Sequence, residues 1–142
     1  MKKPKNYYGF AFDDCRDGYN KKYLKSKAGK KEIKKCKKRM KKYRKQYQKF
    51  GFDATETWNL DSTIAQFIVP RLKYFRKNLV GYPGDLTEKK WYKILDKMIF
   101  SFEVTLNNYD YFDCTKYKSK KRYKKVQKGF ALFGKYFMNL WD

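Results

Sequence analysis

Residues 58–79, WNLDSTIAQFIVPRLKYFRKNL, constrain the fold more than any other stretch of the chain. Ile64, Phe67, Ile68, Leu72, Phe75 and Leu79 recur at helical spacing, which lines one face of a helix with carbon. A short polar residue ahead of them, Asn59 or Asp61, suits a helix start because its side chain accepts from the free N–H groups of the first turn. Arg71 interrupts the pattern. It lies seven residues after Ile64 and four before Phe75, so the spacing places it in the apolar face. Pro70, just before it, lacks the donor that would reach Gln66, and a kink is expected there. A buried charge without a partner is very costly, so Arg71 must meet an anion. Either a carboxylate of the protein or a ligand's phosphate meets that need.

The same periodicity recurs on both sides of this segment. Residues 30–50 look like low-complexity lysine, yet Ile33, Cys36, Met40, Tyr43, Tyr47 and Phe50 repeat at three and four residues. That spacing makes a narrow apolar seam on an otherwise basic helix. GFDATE (51–56) reads as a connector, and GYPGD (81–85) as a turn between helices. Thr87 caps the next helix, with Leu86 and Trp91 placed for a hydrophobic staple. Its inner stripe is Trp91, Ile94, Leu95, Met98, Ile99 and Phe102, and Asp96 and Glu103 fall on one flank as the natural internal partners of Arg71. Residues 107–115 read as loop. Val126, Phe130, Phe133, Phe137, Leu140 and Trp141 then mark a final helix, whose aromatic end also suits a dimer seam.

The expected fold is therefore all-α: one domain at 30–142 with helices at 30–50, 61–79, 87–106 and 120–141, preceded by an irregular basic segment at 1–29. That segment carries Gly9, Gly18 and Gly29 and an acidic cluster at Asp13, Asp14 and Asp17, with a short strand conceivable at 7–12.

Charge narrows the function. The 37 Lys and Arg against 14 Asp and Glu give a formal +23. Residues 1–49 carry a net +16, residues 50–104 a net +1 and residues 105–142 a net +6, so a nearly neutral centre has basic ends. Such a surface attracts polyanions. Lys34, Lys38, Arg39, Lys41, Lys42, Arg44 and Lys45 on the first helix, and Lys120, Lys121, Arg122, Lys124 and Lys125 on the last, are the candidate contacts for nucleic-acid backbone phosphates. Tyr43 and Tyr47, interleaved with Arg39 and Arg44, are placed to add stacking.

Catalytic chemistry has little to stand on. The chain has no His, the commonest general base and the usual partner of a cysteine nucleophile. Cys15, Cys36 and Cys114 form no CxxC pair, so a zinc site is not expected, and their odd number and wide spacing argue against a disulfide scaffold. DDCRDG lacks the ligand spacing of an EF-hand, and GYPGD lacks that of a phosphate-binding loop. Asp61, Asp96 and Glu103 could form an acidic cluster for Mg²⁺, as in nucleases, yet the seven carboxylates of residues 50–104 are ordinary surface decoration. The reading is a non-enzymatic binder with no cofactor. MKKPKNYYGF lacks an apolar signal core and no run approaches spanning length, which points to a soluble protein of a reducing cytoplasm with no membrane partner. An alternative binding site is a nucleotide pocket in which Arg71 meets phosphate, Trp58 and Trp91 stack a base, and Asp61 accepts from it.

WNLDSTIAQFIVPRLKYFRK, GYPGDLTEKKWYKILDKMIFSFE and GFALFGKYFMNLWD together resemble a group of small bacteriophage-encoded proteins of uncharacterised activity. The likeness covers about residues 50–142 and leaves the basic arm outside it. It implies an infected bacterial cytoplasm. There, a small phage protein binds nucleic acid, sequesters a defence system's nucleotide signal as an anti-defence protein, or inhibits an acidic host protein. It lends no catalytic residues.

Overall fold

Capping chemistry shapes the N-terminal part of the chain. Asn20 accepts from the Tyr23 N–H at 2.8 Å and starts a five-residue helix, α1 (Lys21–Lys25). Ser26 ends it and at once starts the next, accepting from the Gly29 N–H at 3.0 Å. A Cβ on Gly29 would lie 2.0 Å from the Tyr23 carbonyl oxygen, so only glycine permits this tight corner. The long basic helix α2 then runs from Lys27 to Phe50 and stops at Gly51, which adopts φ 77° and donates its N–H to the Tyr47 carbonyl.

The computed structural model describes residues 3–5, 7–107 and 117–141. The chain is all-α, and no strand occurs among the described residues. Three longer helices follow α2: α3 (Leu60–Lys77), α4 (Glu88–Asn107) and α5 (Tyr117–Lys135). Short 3-10 turns occupy Ala54–Thr57 and Phe137–Asn139. The expected helices are present, the first three with ends shifted by up to three residues; the last ends at Lys135 instead of 141, so Phe137, Leu140 and Trp141 lie beyond it, and Phe137 and Trp141 are exposed. The 1–29 segment is less irregular than its composition suggests, since it holds α1 and the first turn of α2. Residues 7–12 form bends and turns rather than a strand. The loop expected at 107–115, including Cys114, lies almost wholly outside the described residues. No described helix is long and apolar enough to cross a membrane.

The helices divide into two compact units, residues 1–63 and 64–142. In the first, the seam of α2 is covered by the protein's own N-terminal segment. Tyr47 meets Tyr7 and Phe12 edge-on, with ring centroids 5.0 and 5.7 Å away. Tyr43 meets Trp58 in the same manner. Cys15 and Cys36 form a disulfide across this contact. That corrects the inference drawn from the number and spacing of the cysteines, which argued against disulfides: a span of 21 residues in sequence folds back so that the two sulfurs meet, which spacing alone does not reveal. Such bonds persist in oxidising surroundings.

The second unit has an apolar core. Ala65, Val69 and Leu72 of α3 join Trp91, Leu95, Met98, Ile99 and Phe102 of α4, with Tyr136 closing beside Trp91. Phe102 packs edge-on against Phe130 and Phe133 of α5. Helices α4 and α5 approach closely where Ser101 faces Gly129. The Ser101 hydroxyl lies 2.8 Å from the Val126 carbonyl and 3.0 Å from the Lys97 carbonyl, and it donates there. Two ion pairs add to the α3–α4 contact, Lys73 with Glu103 at 2.5 Å and Arg76 with Asp96 at 2.6 Å.

Candidate functional site

The first unit's basic face follows from how α2 is held. In this helix of 24 residues, 13 are Lys or Arg and one is acidic. The seam turns inward against residues 7–15 and the 53–58 connector, so the lysines on the other side turn outward. Lys34, Lys38, Arg39, Lys41, Lys42 and Lys45 are all exposed. Lys35, not singled out from sequence, joins Lys38, Arg39, Lys41, Lys42 and Lys45 around a shallow surface depression. At 1.5 Å per residue the helix is about 36 Å long, close to one turn of duplex DNA. Glu32 offsets only one of these charges, through a 3.4 Å pair with Arg39 on the surface.

Arg44 departs from the expected role. Its Nε donates to the Ala11 carbonyl at 2.8 Å and its guanidinium covers the Phe12 ring at 5.5 Å. It fastens the N-terminal segment to α2 and is not turned to solvent. Tyr43 and Tyr47 likewise face inward on aromatic partners, so neither is placed to stack a base.

A polar hub that the sequence reading passed over as a connector holds this arrangement. Asp53 is 1% exposed. Its carboxylate accepts from the Tyr7 hydroxyl, from the Thr55 N–H at 2.8 Å and from the Thr55 hydroxyl at 2.6 Å. Thr55 Oγ1 in turn accepts from the Phe10 N–H at 2.9 Å, and the Tyr7 oxygen accepts from the Ala11 N–H at 2.5 Å. Glu56 completes a capping box with Asp53 and also takes the Tyr8 N–H at 3.3 Å. Burial and the Asp53 hydrogen bond push the Tyr7 hydroxyl well above the usual phenol range. The D-x-x-E spacing of Asp53 and Glu56 was the readable signal. What it could not announce is that the 3-10 turn it starts would also gather backbone donors from residues 45 to 48 positions earlier.

The pocket expected around Arg71 does not have the required parts. Trp91 is 0% exposed in the core of the second unit, so neither face of its indole can receive a ligand, and its N–H meets no acceptor among the described residues. Arg71 is on the outside of α3. Its guanidinium lies 3.6 Å from the centroid of the Phe67 ring and donates to the Phe67 carbonyl at 2.7 Å. The buried line of α3 runs through Ala65, Val69 and Leu72, one step around the helix from the Ile64–Phe67–Arg71 line. Ile64 and Phe67 remain 45% and 46% exposed, so Arg71 needs no buried anion. The carboxylates assigned to it belong to other cations: Glu103 to Lys73, and Asp96 to Arg76, whose Nη2 donates to Oδ2 at 3.0 Å. Helical geometry continues through Pro70 to Lys77. Trp58 and Asp61 lie in the first unit and are exposed, Trp58 packing edge-on against Phe10. The described residues contain no group of three side chains able to hold a metal ion, and Asp96 and Glu103 are engaged as above.

In the second unit, Lys120, Lys121, Arg122, Lys124 and Lys125 are all exposed along the N-terminal half of α5. They form a second basic surface, carried by an independent helix. No known protein family, characterised protein or solved structure matches the chain.

Proposed function

We propose that the protein is a non-enzymatic binder of polyanions, nucleic acid foremost, held through backbone phosphates by the exposed lysine face of α2. One observation carries this reading. The apolar seam of α2 is occupied by the protein's own residues 7–15, while Lys34, Lys38, Lys41, Lys42 and Lys45 project together on the other side. A helix that needed lysine only for solubility would not concentrate 13 basic residues against one acid. The α5 lysines extend the same chemistry. A bacteriophage origin and a bacterial host cytoplasm, implied by the resemblance, belong to this proposal, as does the absence of a catalytic role. The Cys15–Cys36 bond calls for surroundings that leave it oxidised.

The test is a salt titration of binding to random-sequence duplex DNA. Five lysines each neutralising a phosphate give a slope of log K against log salt of about −4 to −5. Changing Lys34, Lys38, Lys41, Lys42 and Lys45 to Gln is expected to remove most of that slope. A flat titration of the unaltered protein, or an unchanged slope in the variant, refutes the assignment. Retention of an acidic host protein by the unaltered chain, with DNA binding absent, replaces it with the inhibitor reading.

A further inference from the structure

Within the second unit, α4 and α5 border an open cleft of about 390 Å³ lined by Lys93, Asp96, Lys97, Phe100, Lys125 and Lys128. Its volume falls in the range of small-ligand sites. Three features separate it from the lysine face of α2. The first is shape: its lysines come from two facing helices, Lys93 and Lys97 at i, i+4 on α4 and Lys125 and Lys128 at i, i+3 on α5. They therefore converge on a hollow rather than fan out from one helix. The second is charge. Asp96 is the one acid among the described lining residues, and Arg76 already pairs with it, so four lysines border a space whose own acid is engaged. The third is Phe100. It falls outside the inner stripe of α4, contributes nothing to the core cluster, and stays 36% exposed inside this cleft. An aromatic ring surrounded by cations offers a face to a planar group and charge to the anions attached to it.

We infer that this cleft binds a nucleotide unit, with the base on the Phe100 ring and phosphates between the lysine pairs of α4 and α5. Bases in a duplex are stacked on one another, so only an unpaired base or a free nucleotide reaches the ring. The width of the cleft is set beforehand by the close α4–α5 approach at Ser101 and Gly129, where the Val126 carbonyl of α5 accepts from the Ser101 hydroxyl. The site is thus preformed, which favours affinity because little remains to be ordered on binding. This inference shares the polyanion chemistry proposed above, and Lys125 with its α5 surface, but rests on a cleft in a different unit from α2.

The test compares a fluorescein-labelled 12-mer of thymidylate with an abasic strand of equal length and charge, at physiological salt. The unaltered protein is expected to bind the thymidylate strand roughly five- to a hundredfold more tightly, the range for stacking one base. Phe100→Leu keeps an apolar side chain and is expected to abolish that preference while leaving the abasic strand's affinity nearly unchanged. A Lys125→Gln/Lys128→Gln double variant is expected to weaken both strands. ATP as competitor identifies the source of the nucleotide: displacement assigns the cleft to free nucleotides, and resistance assigns it to strands. Equal affinity for the two strands in the unaltered protein, or a preference that survives Phe100→Leu, overturns the inference. The five-lysine variant of α2 keeps the two readings apart. It should retain the base preference at lower overall affinity, and a loss of preference there also overturns the cleft. An α2 salt slope that does not respond to those five changes, with the preference intact, counts against the α2 reading alone.

Discussion

Replacing Gly129 by Ala reverses the usual rule for glycine in a helix. Alanine is favoured over glycine inside a helix by about 1 kcal/mol, so on propensity alone Gly129→Ala stabilises α5. The α4–α5 contact says otherwise. A Cβ at position 129 would stand 1.9 Å from Ser101 Oγ and 2.2 Å from the Lys97 carbonyl oxygen, where ordinary contact begins at 3.4 Å. The backbone oxygen cannot rotate away, so the helices must part locally by more than 1 Å (3.4 − 2.2). Overpacking of this kind costs about 1–3 kcal/mol, and disturbing the Ser101–Val126 hydrogen bond adds about 1 kcal/mol. Subtracting the propensity gain leaves a net loss of about 2 kcal/mol, or a fall in Tm of roughly 5–10 °C. Gly134→Ala is the matched control. It lies in the same helix with nothing within 4 Å of its added Cβ, and should gain about 0.5 kcal/mol near the frayed end. Urea unfolding followed by tryptophan emission reads both, since Trp91 is the one indole among the three that is buried. Ser101→Ala in the Gly129→Ala background should recover less than half of the loss, because the Lys97 carbonyl remains in the way. A Gly129→Ala protein at least as stable as the unaltered one would refute the close-approach argument.

Tyr7→Phe removes a donor from buried Asp53 and is expected to destabilise the first unit by about 1–3 kcal/mol, measured by chemical unfolding at neutral pH. Because the Tyr7 pKa is raised in the folded state, its stabilising contribution is complete below the unfolded value of about 10 and is lost as pH rises above it. The unaltered protein should therefore lose stability above about pH 10 more steeply than Tyr7→Phe, and parallel pH profiles would contradict this. Under denaturing, non-reducing conditions a thiol reagent should titrate one cysteine, Cys114, and three after reduction; reduction should cost about 3 kcal/mol for a loop of this length. Arg71→Gln should change stability by less than about 0.5 kcal/mol. Arg76→Gln should cost about 1 kcal/mol through loss of its partly exposed pair with Asp96, and the reverse order in thermal melts would return Arg71 to the interior.

Helical spacing was enough to read α2, α4 and the class of the fold, because each of these helices carries one unambiguous apolar line; at α5 it ran six residues too far, since Phe137, Leu140 and Trp141 keep the spacing after the helix has ended at Lys135. It misled at α3, where two apolar lines run side by side. Ile68, Leu72, Phe75 and Leu79 do face the core, but Ile64 and Phe67 belong to the outer line, and adding them to the stripe carried Arg71 inward with them. Choosing between adjacent lines requires the partner helix, and no local pattern supplies it. The lysines of α2 were legible because a seam on one side fixes what lies on the other. Arg44 was not, since its role depends on a carbonyl 33 residues earlier in the chain. The same holds for Asp53 and the disulfide: each joins segments whose meeting is decided by tertiary structure. Phe100 was overlooked for the opposite reason. A pattern search keeps what repeats, and this residue matters in the cleft because it lies off the repeat.

The wrap of residues 7–15 along α2 bears on how the helix behaves when it meets a partner. Excised, residues 27–50 would form a poor helix, since like charges one turn apart repel and even favourable sequences of such length are marginal in water. A free lysine tail of this composition would be largely coil and would surrender its freedom on contact. Clasped by Tyr7, Phe12, Arg44 and the Cys15–Cys36 bond, the same segment is already rigid before any encounter. Its ammonium groups arrive as a fixed comb.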